Sequence, residues 1–247
     1  MLHNIDLKKY EELIQSNENA KEIIDQLLDN HKQIVSTISH EIRNPLSLVY
    51  SRLQLMESTH PDITTYKSWN SIVEDIDYMK QLLEELSSFN NSDYVRKDTI
   101  DMSDFFKRLA LSFAISLEST SYIFSSEISS YLPNFTGDKI KLQEVFLNIL
   151  RNAQESLQED GFIKLCVNYY APNIVITISD SGCGIDPVYI DTIFDMFQTY
   201  KTGGTGLGLA ISQNIIKAHN GTISVDSQVN IGTTFTISLP TPNSFCD

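Results

Sequence analysis

The feature that most limits the fold is a stretch of helical periodicity without a glycine, residues 5–56. Within it Val35, Ile38, Ile42, Pro45, Val49 and Met56 follow the three-and-four spacing of a coiled-coil seam. A break at Ser58-Thr59-His60-Pro61-Asp62 is followed by Trp69, Ile72, Ile76, Met79, Leu83 and Leu86 at the same spacing. Two such helices joined by a short loop predict an antiparallel hairpin. A lone hairpin offers only one partner to each seam, so a second copy completing a four-helix bundle, a homodimer, is expected.

The pattern changes after the polar stretch Asn90-Asn91-Ser92-Asp93. Residues 103–117 and 139–157 read as helices, and residues 122–128, 162–170, 174–179, 222–225 and 233–239 as strands. Pro172-Asn173 reads as a hairpin turn between two of these strands. Mixed helices and mostly antiparallel strands predict an α+β sandwich with its helices on one face of the sheet.

Charge and composition narrow the partners. With 32 acidic against 18 basic residues, the formal charge is -14, which argues against nucleic acid and anionic membranes. No apolar run approaches the ~20 residues of a bilayer-spanning helix, so no direct membrane insertion is expected. The start, Met1-Leu2-His3-Asn4-Ile5-Asp6, lacks the layout of a secretory signal. Cys166, Cys183 and Cys246 are few and odd in number, which fits a reducing compartment and a cytoplasmic location. The five histidines show no metal-ligand spacing.

Chemistry concentrates in a few short segments. Ser39-His40-Glu41-Ile42-Arg43-Asn44-Pro45-Leu46 sets a histidine between seam positions, where its imidazole should face solvent. Neutral histidine is a nucleophile near pH 7, and the adjacent Glu41 can take or orient the proton on its far nitrogen. Asn44 lies one turn on, on the same face as His40. Downstream, Asn148 and Asn152 also lie one turn apart, and a neutral amide oxygen suits magnesium that shares phosphate oxygens. Asp180 ends an apolar strand ahead of Gly182 and Gly184, where a carboxylate can accept a hydrogen bond from an exocyclic amine. Gly204-Thr205-Gly206-Leu207-Gly208 precedes a helix at 209–218, whose first amides can receive phosphate. Between these loops Phe197, Tyr200, Lys201 and a glycine pair suit a lid over a nucleotide.

In this order the segments resemble the core of the two-component sensor histidine kinases. Residues 39–46 are similar to that family's phosphoacceptor box, 138–156 to its asparagine box and 180–185 to its first glycine box. Residues 193–197 resemble its phenylalanine box, 204–209 its second glycine box and 232–235 its closing strand. The short lid, residues 197–206, resembles that of sporulation and nitrogen-regulation kinases. The resemblance implies a dimeric helical hairpin followed by the ATP-binding sandwich shared with gyrase, mismatch-repair ATPases and large heat-shock chaperones. The segments are then an N-terminal helix at 1–32, a dimerisation and phosphotransfer domain at 33–92 and a catalytic ATP-binding domain at 98–242.

It further implies ATP-dependent phosphorylation of His40 with Glu41 as base, and transfer onward to an aspartate in the receiver domain of a response regulator. ATP and Mg2+ are the implied cofactors. Asn152 would hold the metal with Asn148 nearby, and Asp180, Gly182, Gly184, Lys201, Gly204, Thr205, Gly206, Leu207 and Gly208 would contact the nucleotide. One departure is Glu155, where many members carry a lysine, which leaves Lys201 or Arg151 to supply that charge. Two other readings stay open at this level. One is a phosphotransfer module without ATP turnover, and the other is a regulator phosphatase in which Asn44 orients water. The N-terminal helix, through Leu13, Ile23, Leu27 and Ile34, could feed a coiled coil into the hairpin.

Overall fold

The computed structural model describes residues 18–158, 160–201 and 203–241. Leu13, Cys246 and the first part of the expected N-terminal helix lie outside them. The chain divides into two compact units at Asn90 and Asn91.

The first unit is the hairpin. Helix α1 (Glu18–Thr59) runs unbroken through Pro45, and a 3-10 turn (Pro61–Thr65) leads into α2 (Lys67–Asn90). Pro45 has no N–H to return to the Glu41 carbonyl, so the helix loses one bond beside the histidine. The inner face of α2 keeps the predicted seam positions Trp69, Ile76 and Leu83, whereas the inner face of α1 differs from the prediction. Leu46, Ile76 and Leu83 form the hairpin core, with Tyr50 and Leu53 against them and Trp69 buried in the first turn of α2. Ser39 is also fully buried, its hydroxyl donating 2.7 Å to the Val35 carbonyl one turn back. By contrast Ile38, Ile42, Val49, Met56, Ile72 and Met79 remain between 41% and 49% exposed. A helix with apolar residues at three-and-four spacing carries two adjacent apolar lines. Among the described residues, only one line of each helix finds a partner within one chain.

The second unit begins with β1 (Asp98–Ile100) and α3 (Met102–Ser116), continues through β2 (Ile123–Ile128) and β3 (Phe135–Gly137), and enters α4 (Lys139–Ser156). Then come β4 (Phe162–Tyr170), β5 (Asn173–Asp180), α5 (Gly208–Ala218), β6 (Thr222–Gln228) and β7 (Gly232–Pro240). The main sheet has the order β2-β4-β5-β7-β6, and β1 pairs with β3 in a small sheet that periodicity did not reveal. The pairing is antiparallel except at β2 and β4, which run parallel because α4 lies on the connection between them.

One face of the sheet is apolar and the other polar, as alternation requires. Ile163, Leu165 and Val167 of β4, Ile174, Ile176 and Ile178 of β5, and Phe235, Ile237 and Leu239 of β7 are buried. They pack beneath a helical layer whose core includes Phe105 and Phe106 of α3 and Phe146 of α4, in edge-to-face contact at 4.9 to 6.0 Å. Asp180 continues the even-numbered phase of β5, so the strand delivers its carboxylate to the buried face.

The entry to α4 is fixed by long-range contacts. Asp138 caps the helix, its Oδ1 accepting from Ile140 and Lys141 N–H while Oδ2 accepts from Arg96 N–H. Its own N–H donates 2.9 Å to Nε2 of His219, a buried residue at the end of α5. His219 Nδ1 is 2.7 Å from the Ile215 carbonyl. One nitrogen therefore accepts and the other donates, which defines a neutral ring. Burial holds the His219 imidazole below its ordinary pKa, against the opposing pull of the Ile215 carbonyl and the Asp138 charge.

A depressed histidine pKa stabilises the fold above the unfolded value, and the contribution is lost as pH falls below it. Stability of the second unit should therefore decline as pH drops below about 6.5. Calorimetric melting across this range should show a weaker decline for His219→Gln. Equal slopes for both proteins would assign the acid sensitivity to other groups.

Candidate functional site

In the hairpin, His40, Glu41 and Asn44 are all exposed on α1. Consecutive helical residues diverge by about 100°, and among the described residues Glu41 makes no hydrogen bond or ion pair with His40. The expected contact between them is thus absent from this conformation. The group on the imidazole is Arg43, whose Nη1 lies 3.3 Å from His40 Nδ1. Arg43 Nη2 donates to the Leu83 carbonyl of α2, also at 3.3 Å.

In the second unit, Asp180 is 7% exposed at the end of β5, flanked by Ile163 of β4 and Thr233 of β7. Three donors converge on its Oδ1: Gly182 N–H at 2.8 Å, Ser156 Oγ at 3.1 Å and Thr233 N–H at 3.2 Å. None among the described residues reaches Oδ2, which stays available for a ligand donor. Burial pushes the carboxyl pKa up, while these donors and the charge of Lys201 pull it down. Ser156 and the Thr233 amide were not identified from sequence as partners of this carboxylate.

The glycines of the first loop serve packing before ligand access. A Cβ on Gly182 would come 2.1 Å from Ser156 Oγ, and one on Gly184, at φ +69°, 2.1 Å from the Gln228 carbonyl. Both positions exclude a side chain because the loop closes on its own protein, and that closure sets the Asp180 carboxylate.

The second glycine loop leads into α5, and among the described residues no side chain caps the first turn of that helix. Amides and dipole at such a helix start can receive an anion. Gly208 abuts Asn148, whose Oδ1 would lie 2.5 Å from a Cβ there, so the loop lies directly on the asparagine helix. Asn148 Nδ2 donates 2.9 Å to Ser212 of α5. Leu207 is fully buried, and Thr205 Oγ1 accepts from Leu207 N–H at 3.4 Å. Leu207 can therefore meet a ligand only through its backbone, and the Thr205 hydroxyl is engaged in its own loop. The lid is closed at its base by Phe197 N–H donating 2.9 Å to the Gly206 carbonyl, with φ near +62° and +70° at these residues. Tyr200 stacks on Tyr189 at 3.7 Å.

Lys201 joins the lid to the asparagine helix. Its Nζ lies 3.2 Å from Asn152 Oδ1 and 2.8 Å from Glu155 Oε2. The residue that departs from the family pattern thus anchors the lid lysine, and Asn152 presents an oxygen already in contact with a cation. Asn152 and Asn148 each carry a neutral amide oxygen, a donor that suits a divalent ion sharing its other positions with phosphate oxygens and water. Among the described residues no group of three or more acidic, histidine or cysteine side chains could hold a metal alone.

Two family models match the chain. Residues 30–94 match the His Kinase A (phospho-acceptor) domain, and residues 137–243 the histidine kinase-, DNA gyrase B- and HSP90-like ATPase. The signal transduction histidine-protein kinase AtoS of Escherichia coli is 31% identical over 209 residues, 84% of this chain and 34% of AtoS. Sporulation kinase C of Bacillus subtilis is 30% identical over 239 residues, 93% of this chain and 53% of that kinase. The chain thus spans about a third to a half the length of these curated relatives. The full-length structure of ShkA in complex with AMPPNP aligns with a TM-score of 0.71 over 84% of this chain and 45% of ShkA, at 24% identity, a likeness of fold.

Proposed function

The chain belongs to the histidine kinase family, as a phosphoacceptor hairpin followed by a gyrase-type ATPase module, and we propose that it phosphorylates its own His40 from ATP. The observation that carries the proposal is Asp180, a buried carboxylate with one oxygen saturated by protein donors and the other open. Such a group suits the exocyclic amine of adenine. The phosphates would lie along the uncapped start of α5, at the backbone of Gly204, Thr205, Gly206, Leu207 and Gly208. Gly182 and Gly184 hold the turn that orients Asp180.

Mg2+ would join Asn152, with Asn148 beside it, to the phosphate oxygens and neutralise charge there. His40 supplies the attacking nitrogen, Glu41 takes its proton, and Asn44 orients water when a phosphorylated regulator is hydrolysed. The onward acceptor is the aspartate of a response-regulator receiver domain. The exposed line of Ile38, Ile42, Val49, Met56, Ile72 and Met79 supports a homodimer, because a second hairpin would cover it. No described helix is long and apolar enough to cross a membrane. A cytoplasmic location follows from this kinase assignment as part of the proposal, with residues 1–32 as the signalling coiled coil, 33–92 the phosphotransfer domain and 98–242 the catalytic domain.

The direct test is incubation with γ-labelled ATP and Mg2+, followed by addition of purified receiver domains. Label should enter the chain and then pass to a receiver. A chain that binds ATP yet never becomes labelled would overturn the kinase assignment.

Lys201 allows a finer test of the phosphate end. Its bridge to Glu155 is solvent-exposed and contributes little to stability, so the lysine can exchange partners without unfolding the lid. Lys201→Ala should weaken ATP binding by about tenfold, the effect of one charge-assisted hydrogen bond, while adenosine binds as before. Competition against a fluorescent ATP analogue measures both. Equal losses for ATP and adenosine would assign Lys201 to lid structure.

A further inference from the structure

We infer that Arg43 is a positioning residue that holds His40 in a resting tautomer and ties its release to the placement of α2. The inference takes His40 as the phosphoacceptor, the reading proposed above. A guanidinium has donors only, so the 3.3 Å contact from Arg43 Nη1 makes His40 Nδ1 the acceptor. In a neutral imidazole the proton then resides on Nε2. A ring nitrogen that carries the proton has its electron pair in the aromatic system and does not attack phosphorus. The other nitrogen, Nδ1, has a lone pair, but the guanidinium covers it. In this arrangement neither nitrogen of His40 is a free nucleophile.

The other contacts of Arg43 connect this state to the helix pair. Nη2 donates 3.3 Å to the Leu83 carbonyl, and Leu83 is one of the three buried residues at the heart of the hairpin. Arg43 Nε is buried with no hydrogen-bond partner among the described residues. The guanidinium is thus wedged at the contact of α1 with α2, with its terminal nitrogens divided between the imidazole and the backbone of the neighbouring helix. Helix shifts of about 1–2 Å are a common switching motion, and one of that size along α2 would withdraw the Leu83 carbonyl. Arg43 would lose the acceptor that fixes its orientation and could leave Nδ1.

The release and the transfer balance in protons and charge. Once Arg43 departs, Nε2 loses its proton to solvent and Nδ1 gains one, with no net change. Nε2 then attacks the γ-phosphorus of ATP, and the bond from that phosphorus to the bridging oxygen breaks. ADP leaves with the electron pair, and the proton on Nδ1 passes to Glu41. The device would thereby couple hairpin geometry to nucleophile availability through a residue outside the nucleotide site.

The test uses the full chain labelled with 15N-histidine, at a pH where His40 is neutral. Its signals are assigned by difference against His40→Gln. Long-range proton–nitrogen correlation should show the wild-type ring only as the Nε2–H form. Arg43→Ala should restore the minor Nδ1–H form that an unrestrained imidazole samples. Labelling by phosphoramidate, which needs no ATP, should then be faster in Arg43→Ala by about tenfold, as expected for loss of one hydrogen bond to a charged group. A wild-type ring already populating Nδ1–H would overturn the inference, and this measurement does not depend on any variant folding. So would identical tautomer ratios in wild type and a folded Arg43→Ala. If His40 is not the phosphoacceptor, phosphoramidate and ATP labelling fail at that residue while the tautomer still reports the Arg43 contact, so the two failures are distinguishable.

Discussion

His40→Gln is expected to abolish acid-labile, base-stable label from γ-labelled ATP while leaving nucleotide affinity nearly unchanged. Glutamine keeps a polar, exposed side chain on α1 but has no ring nitrogen to attack phosphorus. Asp180 and the glycine loops belong to the other compact unit and do not depend on residue 40 for any hydrogen bond. Autoradiography after acid and base treatment, paired with titration of a fluorescent ATP analogue, separates acceptor from pocket. Label that persists on His40→Gln at the wild-type level would move the nucleophile elsewhere.

Asp180→Asn should produce the largest loss on the nucleotide side. The amide oxygen can still accept from Gly182 and Thr233, so the turn keeps its shape. The NH2 group then occupies the position of Oδ2 and meets the adenine amine donor to donor. Losing a hydrogen bond to a charged group typically costs about 1.5–3 kcal/mol, equivalent to roughly ten- to a hundredfold in affinity. Stability should move the opposite way or not at all. The carboxyl pKa is raised by burial, so ionisation above the folded pKa costs the native state more than the unfolded chain. A neutral amide removes that cost. Weak ATP binding with an undiminished melting temperature is therefore expected. Wild-type affinity in this variant would show that the open oxygen of Asp180 does not meet the base.

The two expected losses involve residues of different legibility. His40 stands in a segment whose order of residue types already indicated nucleophile and amide, and its exposure followed from its place between seam positions. Asp180 was legible through phase, because even-numbered isoleucines in β5 carry it to the covered face. The partner of each was not. Glu41 is next to His40 in sequence, yet Arg43 makes the contact, because helix geometry places residues three apart on one face and consecutive residues on different ones. Ser156 and Thr233 reach Asp180 from elements far away in sequence, where no local period could reveal them.

What the sequence determined by itself were the elements and the faces they bury: two long helices without glycine, alternating strands and glycine loops at their ends. Periods of 3.6 and 2 are local properties, and ten or so consecutive residues suffice to express them. Tertiary structure decided which apolar line of α1 and α2 closes the hairpin and which stays exposed, since both lines carry the same spacing. It decided that β2 runs parallel to β4, that β1 finds β3, and that His219 fastens the end of α5 to the start of α4. It also carried Lys201 across the lid to Asn152 and Glu155. Each of these is a choice among partners that a short window of sequence makes equally acceptable, and packing of the whole unit selects one.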